Sequence, residues 1–345
     1  MAAVDPDSSW DQPGVFPVAP GVHRIPLPLP NDGLRAVNVY AIQDADGLVL
    51  VDAGWSLARS QGQLARCLSS LGYELGDVRR FLVTHIHRDH YTQAVALRRL
   101  FGSRIALGLG EQPGLDLLLS RPETIIPGRV AYLLGCGAAP VVAALAATSP
   151  GRTGDAVTDW EKPDEWLTAM PDAGLASRTL RVIPTPGHTQ GHVVFLDAQQ
   201  RLLFAGDHVL PHITPSIGFE APVPRLPLAD FLASLRLMFD YPDATLLPAH
   251  GPVAGSTHQR VRELLSHHAA RLEACAAVLA EYGDSTAYEV ALRLPWTRRN
   301  RAFADLNPFN QMLAVGETAA HLDVLVEDGR ATKSTVAFVY RYQSS

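Results

Sequence analysis

The chain of 345 residues carries 35 Asp and Glu against 29 Lys and Arg, a net charge of -6, and is 47% hydrophobic and 19% charged. That length suits one or two domains with a sizeable core, no apolar run approaches the roughly 20 residues needed to cross a bilayer, and the negative balance gives no global attraction to phosphate backbones, though a local basic groove stays open. Three cysteines, Cys67, Cys136 and Cys275, lie far apart without a CxxC pair, which argues against a disulfide framework or a thiolate metal site and leaves them as small buried hydrophobes.

The leader MAAVDPDSSWDQPG holds acids and prolines where a signal peptide would carry a basic start and an apolar stretch, so the cytoplasm is the expected compartment. GVHRIPLPL, AVNVYAI and GLVLVDAG then read as consecutive strands separated by Asn-Asp-Gly and Asp-Gly turns. SLARSQGQLARCLSSLG places Leu57, Leu64, Leu68 and Leu71 at helical spacing, and RRFLVTH returns to a strand. The alternation repeats through HYTQAVALRRLFG and SRIALGL, which predicts an α/β layered architecture with helices over sheet faces.

From about 111 to 176 the pattern breaks around one apolar helical stretch, VAYLLGCGAAPVVAALAAT, read as an insertion. Strands resume in RTLRVIPTPG, HVVFLDA and RLLFAGD, followed by an amphipathic helix LPLADFLASLRLMFD and the strand ATLLPAHG. Past Ser256 a long helical run leads into DSTAYEVALRL and then GETAAHLDVLVEDGRATKSTVAFVYRY, read as a helix, an Asp-Gly turn and a strand. These boundaries predict a domain over 1–255, with the insertion at 111–176, and a C-terminal helix plus winged-helix-like domain over 256–345.

The chemistry gathers in Thr-His-Ile-His-Arg-Asp-His, which sets His85, His87, Asp89 and His90 directly after an apolar strand. Alternate residues at a strand end point to one side, so His85 and His87 can approach one ion while the following turn directs Asp89 and His90 to a neighbour. The alternative is that Asp89 caps a helix starting at Tyr91 among ordinary loop histidines. His188 in TPGHTQGH, Asp207 in FAGDH and His250 in LLPAHG each follow an apolar strand, and three such residues beside the first cluster favour ligands over surface polarity. Imidazole and carboxylate suit zinc and also iron or manganese.

With these residues in view the sequence resembles the metallo-beta-lactamase superfamily over about 21–255: HxHxDH, then His, Asp and His at later strand ends. The resemblance implies a four-layer αββα sandwich and two divalent ions, with zinc the first expectation. His85, His87 and His188 match the ligands of one ion, Asp89, His90 and His250 those of the other, and Asp207 the bridge between them. Two such ions about 3.5 to 4 Å apart share a water, lower its pKa toward ~7 and hold hydroxide for attack on a polarised carbonyl or phosphoryl group. Asp207 then partly neutralises the pair, and Asp89 or metal-bound water protonates the leaving group.

Around this set, Asp52 either orients a ligand histidine or stabilises the turn before Gly54. His192 is expected to fix its loop through hydrogen bonds, His208 and His212 to be loop histidines or to line the cleft, and His267 and His268 to lie on an exposed helix face. The complete second ligand set favours hydrolysis over the redox chemistry of persulfide dioxygenase-like and diiron members. Asp rather than Cys at 207, with nothing indicating export, argues against a true beta-lactamase. The pairing of THxHxDH with the C-terminal segment resembles the glyoxalase II-like and lactamase beta 2-like branch.

The leading expectation is hydrolysis of a small ester, thioester or lactone, with the insertion as a lid over an acyl substrate, or else as a packing or homodimer contact. Cleavage of single-stranded RNA is the second reading, for which Arg298, Arg299 and Arg301 would supply phosphate contacts, although no aromatic residues cluster beside them. A nucleic-acid-binding regulator with an idle metal site is the third.

Overall fold

The computed structural model describes residues 10–30, 33–148, 159–220, 223–297 and 300–345. A seven-stranded sheet runs β1 (Phe16–Ala19), β2 (Val22–Pro28), β3 (Ala36–Asp44), β4 (Gly47–Val51), β5 (Val78–Val83), β6 (Arg104–Gly108) and β7 (Glu165–Leu167), in that spatial order. Its first four strands pair antiparallel and β4 to β7 pair parallel, with α1 (Ala58–Ser70) crossing from β4 to β5 and α2 (Arg88–Phe101) from β5 to β6. A second sheet has the order β11 (Thr245–Pro248), β10 (Leu202–Gly206), β9 (Val193–Asp197) and β8 (Arg181–Pro184).

Strand alternation sorts the core into layers. On β3 to β6, Val39, Ala41, Leu48, Leu50, Phe81, Val83, Ile105 and Leu107 pack with Leu64, Leu68, Tyr91, Ala94 and Val95 of α1 and α2. Their neighbours Tyr40, Ile42, Val49, Val51, Leu82 and Ala106 point the other way, against Val182, Val193, Phe195, Leu202, Phe204 and Leu247 of the second sheet. Ile183, Leu196 and Leu203, on that sheet's far side, share a small cavity with Met238, Tyr241 and His258. Helix, sheet, sheet and helix layers therefore follow one another, as the α/β sandwich reading expects.

The described residues fall into two compact units. The first comprises those within Met1–Leu119, Ala156–Pro215 and Ala233–Arg262, and the second those within Ser120–Asp155, Ser216–Leu232 and Glu263–Ser345. A division of the chain at 255 places the described residues of 120–148 and 216–232 in the first part, whereas they group with 263–345 in the second unit. The second unit holds α4 (Ile125–Gly135), α5 (Ala139–Thr148), most of α7 (Thr257–Tyr282), α8 (Ala287–Ala291), α9 (Pro308–Glu327) and the hairpin of β12 (Ala331–Val336) and β13 (Val339–Ser344), while α3 (Gln112–Ser120) and α6 (Pro227–Leu237) precede α4 and β11 in the chain. Leu133, Cys136, Cys275, Val290, Val315, Leu322 and Tyr342 build its core.

Several elements differ from the sequence reading. The apolar stretch of the insertion is two helices, not one, because Gly137 adopts φ +79° and the Gly137 and Ala138 amides close α4 by bonding Leu134 and Leu133 carbonyls. The last segment is a hairpin rather than a single strand; its turn uses Ala337 and Phe338 at φ 48° and 67°, residues that give no turn signal. His267 is exposed as expected, but His268 is fully buried: it lies on the face of α7 shared with Leu264 and Cys275, and its Nδ1 is 3.1 Å from His321 Nε2 of α9. Cys67, Cys136 and Cys275 are free and buried. No helix among the described residues is long and apolar enough to cross a membrane. Arg298 and Arg299 lie outside the described residues, and Arg301 is exposed.

Candidate metal centre

Four chain segments of the first unit deliver the seven candidate ligands to one place. β5 ends at Val83, which leaves Thr84 and His85 at the sheet edge; His87 occupies the N-cap of α2, with Asp89 and His90 in its first turn. Asp89 is therefore not the cap of a helix that starts at Tyr91. His188 sits in the loop from β8 to β9, Asp207 directly follows β10, and His250 comes two residues after β11. Strand-end loops are where an α/β scaffold can aim polar side chains without interrupting its ladders.

The donor atoms form two groups, His85 with His87, His188 and Asp207, and Asp89 with His90 and His250, each within 4.8 Å. Asp207 lies between them. Its Oδ2 is 3.5 Å from His188 Nε2 and 3.9 Å from His85 Nε2, while its Oδ1 is 3.4 Å from His250 Nε2 and 3.7 Å from His90 Nε2. Asp89 Oδ2 completes the second group at 3.4 Å from His250 Nε2 and 3.7 Å from His90 Nε2. In the first group His188 Nε2 is 3.1 Å from His87 Nδ1. Ligands bound at ~2.0–2.1 Å to a tetrahedral zinc stand about 3.3 Å apart, close to the 3.1–3.9 Å between donors here.

A divalent ion fits this donor set for a second reason. Nε2 of His85, His90 and His250 and Oδ1 of Asp207 are buried without a hydrogen-bond partner. Each such orphan costs about 1–3 kcal/mol, and a cation drawing on the lone pairs is what removes the cost.

Neighbouring groups fix those lone pairs. The Ala36 carbonyl can only accept, so His250 Nδ1, 2.8 Å away, carries the proton and Nε2 is free to ligate. Asp52 Oδ2 holds His90 Nδ1 at 2.9 Å, and Asp52 Oδ1 accepts from the Thr84 amide at 2.8 Å and hydroxyl at 3.0 Å. With its hydrogen given to Asp52, Thr84 Oγ1 accepts from His85 Nδ1 at 3.0 Å. Asp52 thus orients a histidine, directly in one case and through Thr84 in the other, and it does so from a left-handed backbone at φ 60°, where non-glycine residues rarely sit.

His192 fixes the Asp207 loop: its Nδ1 is 2.8 Å from Thr185 Oγ1 and its Nε2 accepts from the Asp207 amide at 3.2 Å. Gly206, at φ +51°, permits this approach, since a Cβ there would stand 2.6 Å from Thr84 Oγ1 and 2.7 Å from His192 Nε2. His208 is buried with its ring centroid 6.0 Å from that of His192, and His212 is half-buried. Glu111 carried no signal in the sequence: fully buried, its Oε1 accepts from the Ile86 amide at 3.3 Å and Thr189 Oγ1 at 2.5 Å, tying the loop of His85 and His87 to that of His188.

Burial and the charges of four neighbouring histidines push His85 well below its ordinary pKa, and burial with His188 brings His87 down to about 3. Burial also opposes charge on His90, but Asp52, Asp89 and Asp207 outweigh it and raise the imidazole to about 10; Asp207 and Asp89 raise His250 in the same way. Asp89 is raised by burial and lowered further by His90 and His250, which hold it ionised. In the first group burial thus disfavours charge on His85 and His87, whereas in the second the nearby carboxylates favour it on His90 and His250.

A family model described as the metallo-beta-lactamase superfamily matches residues 32–250. The beta-lactamase-like protein 2 homolog of Caenorhabditis elegans is 30% identical over 158 residues, 46% of this chain and 48% of that protein. Thioesterase pkgB of Emericella nidulans is 26% identical over 252 residues, 73% of this chain and 56% of its own length. The chain thus spans about half the length of these two relatives. A solved metallo-beta-lactamase family protein from Thermus thermophilus superposes with a TM-score of 0.78 at 30% identity, covering 95% of this chain and all of the other. The chain belongs to the metallo-beta-lactamase superfamily, a family of metal-dependent hydrolases.

Proposed function

We propose that the centre holds two divalent ions, zinc in the first instance, and hydrolyses a small ester, thioester or lactone. The observation that carries the two-ion reading is the division of Asp207, with one carboxylate oxygen turned to each donor group. His85, His87 and His188 would hold the first ion, Asp89, His90 and His250 the second, and Asp207 both. Bound there, the pair supplies Lewis acidity and a water acidic enough to attack at neutral pH.

The chain's own residues set the conditions for that chemistry. Asp52 and Thr84 keep His90 and His85 in the tautomers that present Nε2, and Asp207 places one negative charge between the two groups. Asp89 is held ionised, which favours the role of ligand over that of proton donor to the leaving group. Since the ions supply the nucleophile, neither serine nor cysteine is required, and burial keeps the Cys136 and Cys275 thiols protonated, pushed up to about 12.

The acyl substrate class draws support from the thioesterase among the relatives and from the net negative charge, which disfavours a polyanion. A panel of acyl thioesters, lactones and short single-stranded RNA tests it. Turnover of one acyl class with intact RNA is expected. RNA cleavage without acyl turnover contradicts the reading in favour of a nuclease, for which the winged-helix-like reading of 256–345 would supply the nucleic-acid surface.

A further inference from the structure

His250 stands on a loop beyond the end of β11; the Ala36 carbonyl holds its ring at Nδ1, 2.8 Å away, but that bond does not by itself place the loop's backbone. The loop from Pro248 to Gly251 is instead bonded to the start of β3. The Asn38 amide donates to the Ala249 carbonyl at 2.7 Å, and Asn38 Nδ2 donates to the carbonyls of both Pro248 and Gly251 at 2.9 Å each. The two side-chain hydrogens therefore grip the chain on either side of His250. The Tyr40 hydroxyl adds a bond to the Pro248 carbonyl at 2.8 Å.

The Asn38 amide has one usable orientation. Arg24, from the neighbouring strand β2, donates to Asn38 Oδ1 at 3.0 Å and to the Trp10 carbonyl at 2.6 Å. A flipped amide would face its hydrogens to the guanidinium and its oxygen to two carbonyls. Arg24, Asn38 and Tyr40 are 1%, 0% and 2% exposed, so water cannot replace a bond that is lost.

We propose that Asn38, locked by Arg24 and assisted by Tyr40, is the positioning residue that sets His250 for the second ion. This rests on the two-ion reading above. The histidines of the first group hang from the end of β5, the N-terminus of α2 and the loop from β8 to β9, so they do not depend on the clamp, while Asp207, shared by both groups, follows Gly206, whose carbonyl accepts from the Ala249 amide at 3.0 Å. Asn38 touches no substrate; it acts only through the loop.

The test strips the full chain with a chelator and titrates it with Zn2+, reading the stoichiometry and affinity of each step, with His250→Ala marking the step that belongs to the second ion. Asn38→Asp keeps the shape but turns oxygen lone pairs to two carbonyls. It is expected to keep the first ion at wild-type affinity and to weaken the second by roughly 10–100-fold, the usual effect of losing a group that orients a ligand. Tyr40→Phe removes one bond without a change of shape, should weaken the same step less, and carries the test if Asn38→Asp does not fold. Unchanged second-ion affinity in the folded variants, or equal weakening of both ions, overturns the proposal. A wild-type chain that takes up one ion contradicts the two-ion reading itself before any substitution is made, and the proposal falls with it.

Discussion

Asp52 Oδ2 stands 2.9 Å from His90 Nδ1 in a site where His90 is wholly buried and Asp52 almost so. The bond decides which imidazole nitrogen faces the metal centre. Asp52→Asn keeps the volume but can offer its amide N–H where the carboxylate accepted, inviting the wrong His90 tautomer. Affinity for the second ion should fall by roughly 10–100-fold, read by competition with a zinc chelator, with the first ion affected less; undiminished second-ion affinity would remove Asp52 from this role.

Asp207 is expected to matter to both ions. On the proposed two-ion reading, Asp207→Ala should lose at least one of two metal ions per chain, measured by elemental analysis of the purified protein, and hydrolysis should drop by roughly 100-fold or more. Retention of both ions would take Asp207 out of the bridging position.

The second group makes metal binding depend on pH. His90 is raised to about 10 from 6.5 and His250 is raised too, so near pH 7 an incoming ion must displace protons from them. Affinity should therefore climb as pH rises from 6 to 9, and zinc uptake should release protons, seen as a buffer-dependent heat in calorimetry. In the metal-free protein the sign is opposite. A folded pKa above the unfolded one gives stability that is whole below 6.5 and fades as pH rises through about 10, so the metal-free chain should melt progressively lower over that window.

His268 and His321 predict the behaviour in acid. Burial, ahead of neighbouring positive charge, lowers them to about 2 and about 4 from 6.5. Above 6.5 both states are neutral and the pair is silent. Below 6.5 the unfolded chain takes up protons that the fold refuses, so stability declines toward pH 4. His268→Leu should flatten that decline in urea unfolding series while costing about 1–3 kcal/mol at pH 7 from the unpaired His321 Nε2; an unchanged slope would contradict the assignment.

The seven candidate residues that the fold gathers were legible in the sequence because they are locally marked: four of them within six residues after an apolar strand, and three more at later strand ends. The strands of both sheets declared themselves by composition, but β1 and β7 did not, since four and three residues give no period to read. The positioning residues were harder. Asn38 sits in AVNVYAI, where a polar side chain inside an otherwise apolar strand was the one available sign of a buried partner. Glu111 and Thr84 act across segments distant in sequence, and nothing in their flanks marks the contact. His268 was misread because its polarity outweighed the helical stripe it shares with Leu264 and Cys275.

The central claim is that one carboxylate stands between two ions. Anomalous scattering at the zinc edge from crystals of the zinc-loaded protein tests it most directly. Two peaks about 3.5 to 4 Å apart, one beside His85, His87 and His188 and the other beside Asp89, His90 and His250, with Asp207 touching both, are expected. A single peak, or a pair with Asp207 bound to neither or only one, would contradict the account.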